Sequence, residues 1–445
     1  MDFRGRGGRR GRGMWRGGRG DRQPSLPPTP PPPPPMGEIL ATIQHGDLED
    51  GATETHDCAQ ITNTQYLTSY NWLNGGDHQI IVPGELAHPA NQSTVHRSRI
   101  HLTGEPPEWT PLSKPTQLRE DSGTYYRDKN AARYPTYPLE PMIRAIMTDR
   151  PDFRLDGLDI VGCGSTLGNL LRFSRGQGSS FRMLIEVLGN TVFFMRRERS
   201  PTETITGVRG YGHTFPEAYT TWSKSVRKSD SHQRLINYDF AGMNCLVRFE
   251  ADGYLPDLIQ NDLSTQNEPI LSMSNIDPED LLSAIEAATI STVPSADTKS
   301  TTLKILKQGH HIPQCAVFDL KTRSEKRRGD DILSEELARL WIRQIPNFIL
   351  AYHKFGRFED ILVQDVREDL KRWEKSQQQE LARFATLLQM VASFARSTED
   401  GKLELEHEED EKVLNLRIPG GVVGRVLPSA LIDHWDVSND SDLAS

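Results

Sequence analysis

The sequence predicts an α+β fold, a mixed β-sheet core flanked by helices. Three patterns carry that expectation. Residues 181–187 and 190–195 alternate apolar and polar around Leu188-Gly189, which reads as a hairpin. Two apolar runs, 245–248 and 315–318, read as strands, and each runs into acidic residues. Leu370, Trp373, Leu381, Phe384, Leu387, Leu388 and Val391 recur at helical spacing across 366–396.

The remaining elements follow in order. Residues 1–22 repeat Arg and Gly, and 27–35 are a polyproline run. Residues 36–65 are polar and read as loosely ordered, so the expected linker is 23–65 and the expected domain 66–436. Strand-like runs lie at 66–73, 79–82 and 107–110. A helix is expected over 138–150, with Pro138 and Pro141 at its start. Residues 159–173 read as a strand breaking into a helix across Gly162 to Gly168. Further strands are expected at 235–240 and 244–250, and a polar insertion at 254–312. A helix at 331–345, a strand at 348–353 and an acidic edge pair within 402–416 complete the domain. Residues 437–445 read as a disordered tail.

Charge is unevenly placed. Residues 1–22 carry eight arginines and two aspartates, a balance of +6, while the chain is −9, leaving −15 for the rest. A basic tail on an acidic body suggests a polyanion partner. Arg4, Arg6, Arg9, Arg12, Arg16 and Arg19 each adjoin a glycine, with Trp15 among them, and suit RNA with little sequence preference. No run is long and apolar enough for a membrane span, and no apolar signal core marks the start, so the expectation is a non-secreted, non-membrane chain. Cys58, Cys163, Cys245 and Cys315 show no Cys-x-x-Cys spacing, and three lie in apolar runs. They read as core residues in a reducing compartment, with no disulfide-linked partner.

The acids at the two strand ends carry the chemistry. A strand places residues i and i+2 on one face, so Glu250 points with Asp252, and Asp319 with Lys321. If the strands are neighbours, three carboxylates and an ammonium converge. Such crowding is tolerable around a hard divalent cation, Mg²⁺ or Mn²⁺. A lysine beside the ion can orient water or steady phosphate charge. Taken alone, the same residues are more often solvated surface.

From residue 66 to about 396, the order of these motifs resembles the decapping-nuclease family (DXO/RAI-like proteins), related to the PD-(D/E)XK nucleases. The match is to a divergent, fungal-type member with an N-terminal RGG tail. Gly210-Tyr211-Gly212-His213-Thr214-Phe215-Pro216-Glu217 resembles the family's second motif, with its glutamate two places late. Glu250-Ala251-Asp252 resembles the third motif. Asp319-Leu320-Lys321 resembles the fourth, with aspartate for glutamate. Trp341-Ile342-Arg343-Gln344 resembles the helix that follows. The resemblance implies a metal-dependent RNA 5′-end hydrolase, acting by decapping, pyrophosphohydrolysis or 5′–3′ cleavage on incompletely or non-canonically capped RNA. It implies Glu217, Glu250, Asp252 and Asp319 as metal ligands, Lys321 and Glu250 as catalytic groups, and Gln344 on the terminal nucleotide. It further implies a 5′–3′ exoribonuclease partner and a place in the nucleus, the cytoplasm or both. The family's first-motif arginine falls near Gly164, where this chain has none; Arg172 or Arg175 stands in for it. The alternative is a catalytically weak RNA-binding or scaffolding protein with the same fold.

Other constellations carry less. Residues 162–168 resemble a phosphate-cradling glycine loop at a helix N-terminus. They lack the Gly-Lys-Ser/Thr ending of a P-loop, so a tight turn supporting an RNA channel is expected before a nucleoside triphosphate site. Residues 196–199 and the Lys/Arg run 321–328 suit phosphate contacts or a solvated loop equally. His213, His310 and His311 read as turn residues.

Overall fold

A computed structural model describes residues 31–55, 58–75, 78–82, 104–259, 303–409 and 411–436. The expected Arg/Gly tail, the C-terminal tail and most of the expected insertion lie outside the described residues. Among those residues, no helix is long and apolar enough to cross a membrane.

The core is a mixed sheet of eleven strands. Its order is Ile39–Gln44, Val413–Arg417, Lys402–His407, Phe181–Leu188, Thr191–Arg196, Ile160–Cys163, Met243–Glu250, Ser229–Phe240, Ile61–Leu73, Gln79–Val82 and Lys304–Lys307. The expected alternation is visible along Met243–Glu250. Cys245, Val247 and Phe249 enter one core with Leu170, Trp341 and Leu381. Leu246 enters a second core on the opposite face with Met142, Ile143 and Trp435. Period-2 strands buried on both faces need helices on both sides. Gly164–Ser174, Ile332–Arg343 and Gln378–Ser397 cover the first face, and Glu140–Asp149 and Ser429–Asp436 cover the second.

A second sheet of six strands has the order Thr220–Thr221, Glu108–Trp109, Gly253–Tyr254, Val317–Ser324, Asn347–Lys354 and Arg357–Asp365. The two acidic strands were expected side by side in one sheet, and they are not. Met243–Glu250 belongs to the large sheet and Val317–Ser324 to the small one. The chain crosses between sheets at Ala251-Asp252, then forms Gly253–Tyr254, which pairs with Val317 and Phe318. Gly253 permits the crossing: a Cβ there would lie 2.4 Å from the Phe318 ring and 2.7 Å from the Pro107 carbonyl. Asp252 therefore sits at the seam between two sheets.

Two boundaries move. The expected linker 23–65 contains the strand Ile39–Gln44, paired with Val413–Arg417, and the helix Asp47–Thr55. Ile43, Leu48 and Ala52 are buried in the first core, so these few apolar positions suffice because partners from distant sequence cover them. The expected single helix across 366–396 is two, Arg367–Ser376 and Gln378–Ser397, separated by Gln377.

Candidate functional site

The site lies at the seam. Asp319 and Lys321 leave Val317–Ser324 on one face, while Phe318 and Leu320 enter an apolar cluster on the other. The charged face meets the helix Ile332–Arg343. That helix starts at the cap Asp331, whose carboxylate accepts from the Ser334 amide at 3.2 Å, and ends where Gln344 turns left-handed at φ 49°. Leu337, Leu340 and Trp341 face the core. Glu336, Arg339 and Arg343, spaced three and four apart, form another stripe.

Strand and helix interleave as a ladder of charge. Asp319 is 2% exposed. Its Oδ1 accepts from Arg339 Nη2 at 2.7 Å; its Oδ2 accepts from Arg339 Nη1 and, at 3.2 Å, from Arg343 Nη1. Glu336 accepts from Arg339 Nε at 2.7 Å and Arg323 Nη2 at 3.2 Å, and lies 3.8 Å from Lys321 Nζ. Lys321, Arg323, Arg339 and Arg343 thus stand against Asp319, Glu336 and the adjacent Asp252, four cations against three carboxylates.

The other predicted acids are engaged separately. Glu250 Oε1 accepts from Lys129 Nζ at 3.2 Å, and the Glu250 charge holds that ammonium above its usual range. Asp252 Oδ2 accepts from the Leu320 amide at 2.7 Å. Burial, then the adjacent Asp319 charge, pushes Asp252 up to about 7. Burial also disfavours ionised Asp319, but the Arg339 and Arg343 guanidiniums outweigh it and hold that carboxyl below its usual range. Glu217 lies in the short helix Thr214–Tyr219, exposed at the cleft mouth.

These groups line one cleft of about 910 Å³. It gathers Glu217, Glu250, Asp252, Asp319 and Lys321 as the sequence anticipated. It does not gather them as ligands of one ion. Among the described residues, no group of three or more His, Cys, Asp or Glu side chains could hold a metal. Mg²⁺ and Mn²⁺ want several carboxylate or water oxygens. Here both Asp319 oxygens are taken by guanidinium, and the surplus charge around it is positive. The expected four-carboxylate centre does not fit a divalent cation as arranged.

Three expected RNA contacts also fall elsewhere. Gln344 is not in the cleft; its amide donates to the Trp341 carbonyl at 2.6 Å, and it closes the helix. Arg172 and Arg175 sit at the C-terminal end of the helix Gly164–Ser174, whereas its N-terminus lines the cleft. At about 1.5 Å per residue, eight residues separate Gly164 from Arg172 by about 12 Å. Arg175 stacks over Trp373 at 5.6 Å instead.

Residues that sequence reading passed over complete the site. Arg339 and Arg343 neutralise Asp319. Lys129 binds Glu250. Tyr125 and His213 stack at 3.6 Å between centroids with rings 3° apart, both on the cleft wall. Arg248 is 5% exposed, and its Nε and Nη1 have no partner. A charge inside the apolar run 245–249 was a readable signal for it.

With this geometry in place, comparison with known proteins gives a family and a fold. A family model described as "Domain of unknown function (DUF8563)" matches residues 43–431, so the chain belongs to that family. No curated protein matched it. Among solved structures it is similar to Scheffersomyces stipitis Rai1 in complex with (3′-NADP)⁺ and calcium ion: TM-score 0.51, 9% identity, covering 90% of this chain and 99% of that one. It is also similar to S. pombe Rai1: TM-score 0.49, 7% identity, covering 85% and 98%. For K. lactis Dxo1 in complex with manganese the TM-score is 0.42 at 7% identity, covering 88% and 97%. The first likeness shows the fold, a divergent DXO/RAI-like one.

Proposed function

We propose that this DUF8563 protein binds RNA 5′ ends in the cleft between its two sheets, as a relative of the decapping nucleases that does not depend on a divalent ion. The observation that carries this reading is the double arginine clamp on Asp319. A carboxylate whose two oxygens accept from Arg339 and Arg343 has its charge already answered, which weakens it as a ligand for Mg²⁺ or Mn²⁺. The same clamp leaves excess positive charge, which suits phosphate. The Tyr125–His213 stack adds a flat aromatic surface of the kind nucleobases use. The (3′-NADP)⁺ in the S. stipitis Rai1 structure makes a nucleotide-bearing ligand a natural probe. RNA as partner is consistent with a place in the nucleus or cytoplasm, and the Arg/Gly segment would add phosphate contacts.

The second reading is the metal-dependent 5′-end hydrolase, with an exoribonuclease as its associated enzyme. One observation favours it: Asp252 and Asp319 are close enough for the charge of one to raise the other. The deciding experiment incubates the protein with 5′-monophosphate, triphosphate and NAD-capped RNA in Mn²⁺, Mg²⁺ or EDTA. Binding in EDTA without product in any metal supports the first reading. Product that needs metal and disappears in Asp252→Ala replaces it with the second.

A further inference from the structure

One part of the cleft rim carries a short basic segment. The chain leaves the strand Thr220–Thr221, runs Trp222-Ser223-Lys224-Ser225-Val226-Arg227-Lys228 and enters the strand Ser229–Phe240. Lys224–Val226 is a single helical turn, and the Lys228 carbonyl accepts from the Asn74 amide at 2.8 Å. Val226 is 1% exposed and packs with Leu73 and Ile81. The half-buried Trp222 rests on the same cluster and also lines the cleft, as do Thr220 and Asp230 on either side of the segment. Lys224, Arg227 and Lys228 stand exposed around the Val226 anchor.

These three cations differ from most others in the fold. The two basic runs that the sequence marks for phosphate, 196–199 and 321–328, are largely answered by acids. Arg197 pairs with Glu404, Arg323 with Glu336 and Arg328 with Asp360. Asp230, the acid nearest the segment in sequence, is taken by Arg133 at 2.6 Å. Among the described residues, Lys224, Arg227 and Lys228 have no ion-pair partner. The chain is acidic outside its first 22 residues, so the segment is a local reversal of sign at the mouth of a cleft. Free cations beside a flat ring suit a single-stranded nucleic acid, which offers phosphates to the charges and a base face to the ring.

We propose that Trp222, Lys224, Arg227 and Lys228 form a lip over which the single-stranded body of an RNA leaves the cleft. This rests on the function proposed above: a 5′ end held between the sheets trails the rest of its strand across the rim. Trp222 carries a base at the exit, and the three cations carry successive phosphates. A duplex keeps its bases stacked on one another and has no face to offer Trp222. An acidic protein would engage the cations and leave the ring on the cleft wall without a role.

The test titrates the full chain with a 5′-phosphorylated dinucleotide and with a single-stranded dodecamer sharing its 5′ end, over a series of salt concentrations. Wild type should bind the dodecamer more tightly and with the steeper salt dependence. Lys224→Gln, Arg227→Gln and Lys228→Gln together should lower the dodecamer's log–log slope by about 2, since each contact to a single-strand phosphate contributes about 0.7. Dinucleotide affinity should hold, because that ligand has no body to lay over the lip. All three side chains are exposed, so the variant keeps its anchor and its Tm. Lys375→Gln, Lys402→Gln and Lys412→Gln together remove the same charge from residues that do not line the cleft, and should leave both RNAs unaffected. A dodecamer slope unchanged by the first triple variant overturns the lip and leaves 5′-end binding standing. A control that lowers the slope equally, or a dinucleotide weakened as much as the dodecamer, also overturns it, because the cations then act only through overall charge. If wild type binds neither RNA, the function proposed above falls and the lip with it. Poly-glutamate held through the same three cations would then assign the surface to an acidic protein.

Discussion

Asp252→Asn should stabilise the protein at neutral and alkaline pH. Asn keeps an oxygen to accept from the Leu320 amide and removes a charge that burial and Asp319 oppose. The Asp252 carboxyl moves from 3.8 to about 7, a gap of about three pH units, or about 4 kcal/mol at ~1.4 kcal/mol each. Asp252 is only half-buried and faces an open cleft, so screening brings the expected gain to about 2 kcal/mol. The sign follows from linkage. The folded state holds a proton that the unfolded state releases between pH 4 and 7, so wild-type stability is kept below the unfolded value and lost as pH rises through the folded one. Denaturant unfolding of both proteins at pH 4, 6 and 8 should show the variant ahead at pH 8 and level at pH 4. A variant less stable than wild type at pH 8, or a difference independent of pH, would refute the reasoning.

Arg339→Met should cost about 3 kcal/mol, because it strips the bidentate partner from a buried carboxylate, and adding Asp319→Asn should restore part of it; equal stability of single and double variants in urea would deny the coupling. Millimolar Mn²⁺ should raise the wild-type Tm by less than about 1 °C, whereas a site filled at a hundred times its Kd would add about 2.7 kcal/mol. Tyr125→Ala should weaken RNA binding about tenfold with the salt dependence unchanged, since it removes stacking and no charge; a shifted salt slope in titrations would count against a stacking role. Deleting residues 1–30 should flatten the dependence of RNA affinity on salt without moving Tm. Extending the deletion through Pro35 should lower Tm, because Arg182 donates to the Pro34 and Pro35 carbonyls at 2.6 and 3.0 Å.

The strands were legible where periodicity is local. The hairpin Phe181–Leu188 and Thr191–Arg196, the strand-to-helix break at Cys163-Gly164 and the helix Ile332–Arg343 follow from alternation, glycine and cap chemistry. The strand Ile39–Gln44 was illegible because its pairing partner, Val413–Arg417, lies at the other end of the chain. Asp252, Asp319 and Lys321 were rightly gathered in one cleft, since each ends or begins an apolar run there. Their electrostatics were misjudged because reading strand by strand counts only a strand's own charges. Arg339 and Arg343 come from a helix about twenty residues away, and only packing reveals that they reach Asp319. Gln344 illustrates the converse: its motif position suggested a ligand contact, while its left-handed backbone made it a helix cap.

The ladder between Val317–Ser324 and Ile332–Arg343 also restricts how such a chain can change over generations. Substituting Asp319 alone leaves the part-buried Arg343 without its carboxylate and Arg339 with Glu336 only. Substituting Arg339 alone leaves the buried Asp319 carboxylate with the single Arg343 bond. Either single step costs on the order of 3–5 kcal/mol, against a total stability of about 5–15 kcal/mol for an ordinary domain. Routes that exchange a metal-binding acid for an arginine-held one, in either direction, must pass through a barely folded ancestor or change both partners together. The clamp thus behaves as an epistatic ratchet, tending to preserve whichever side of the exchange a lineage has reached.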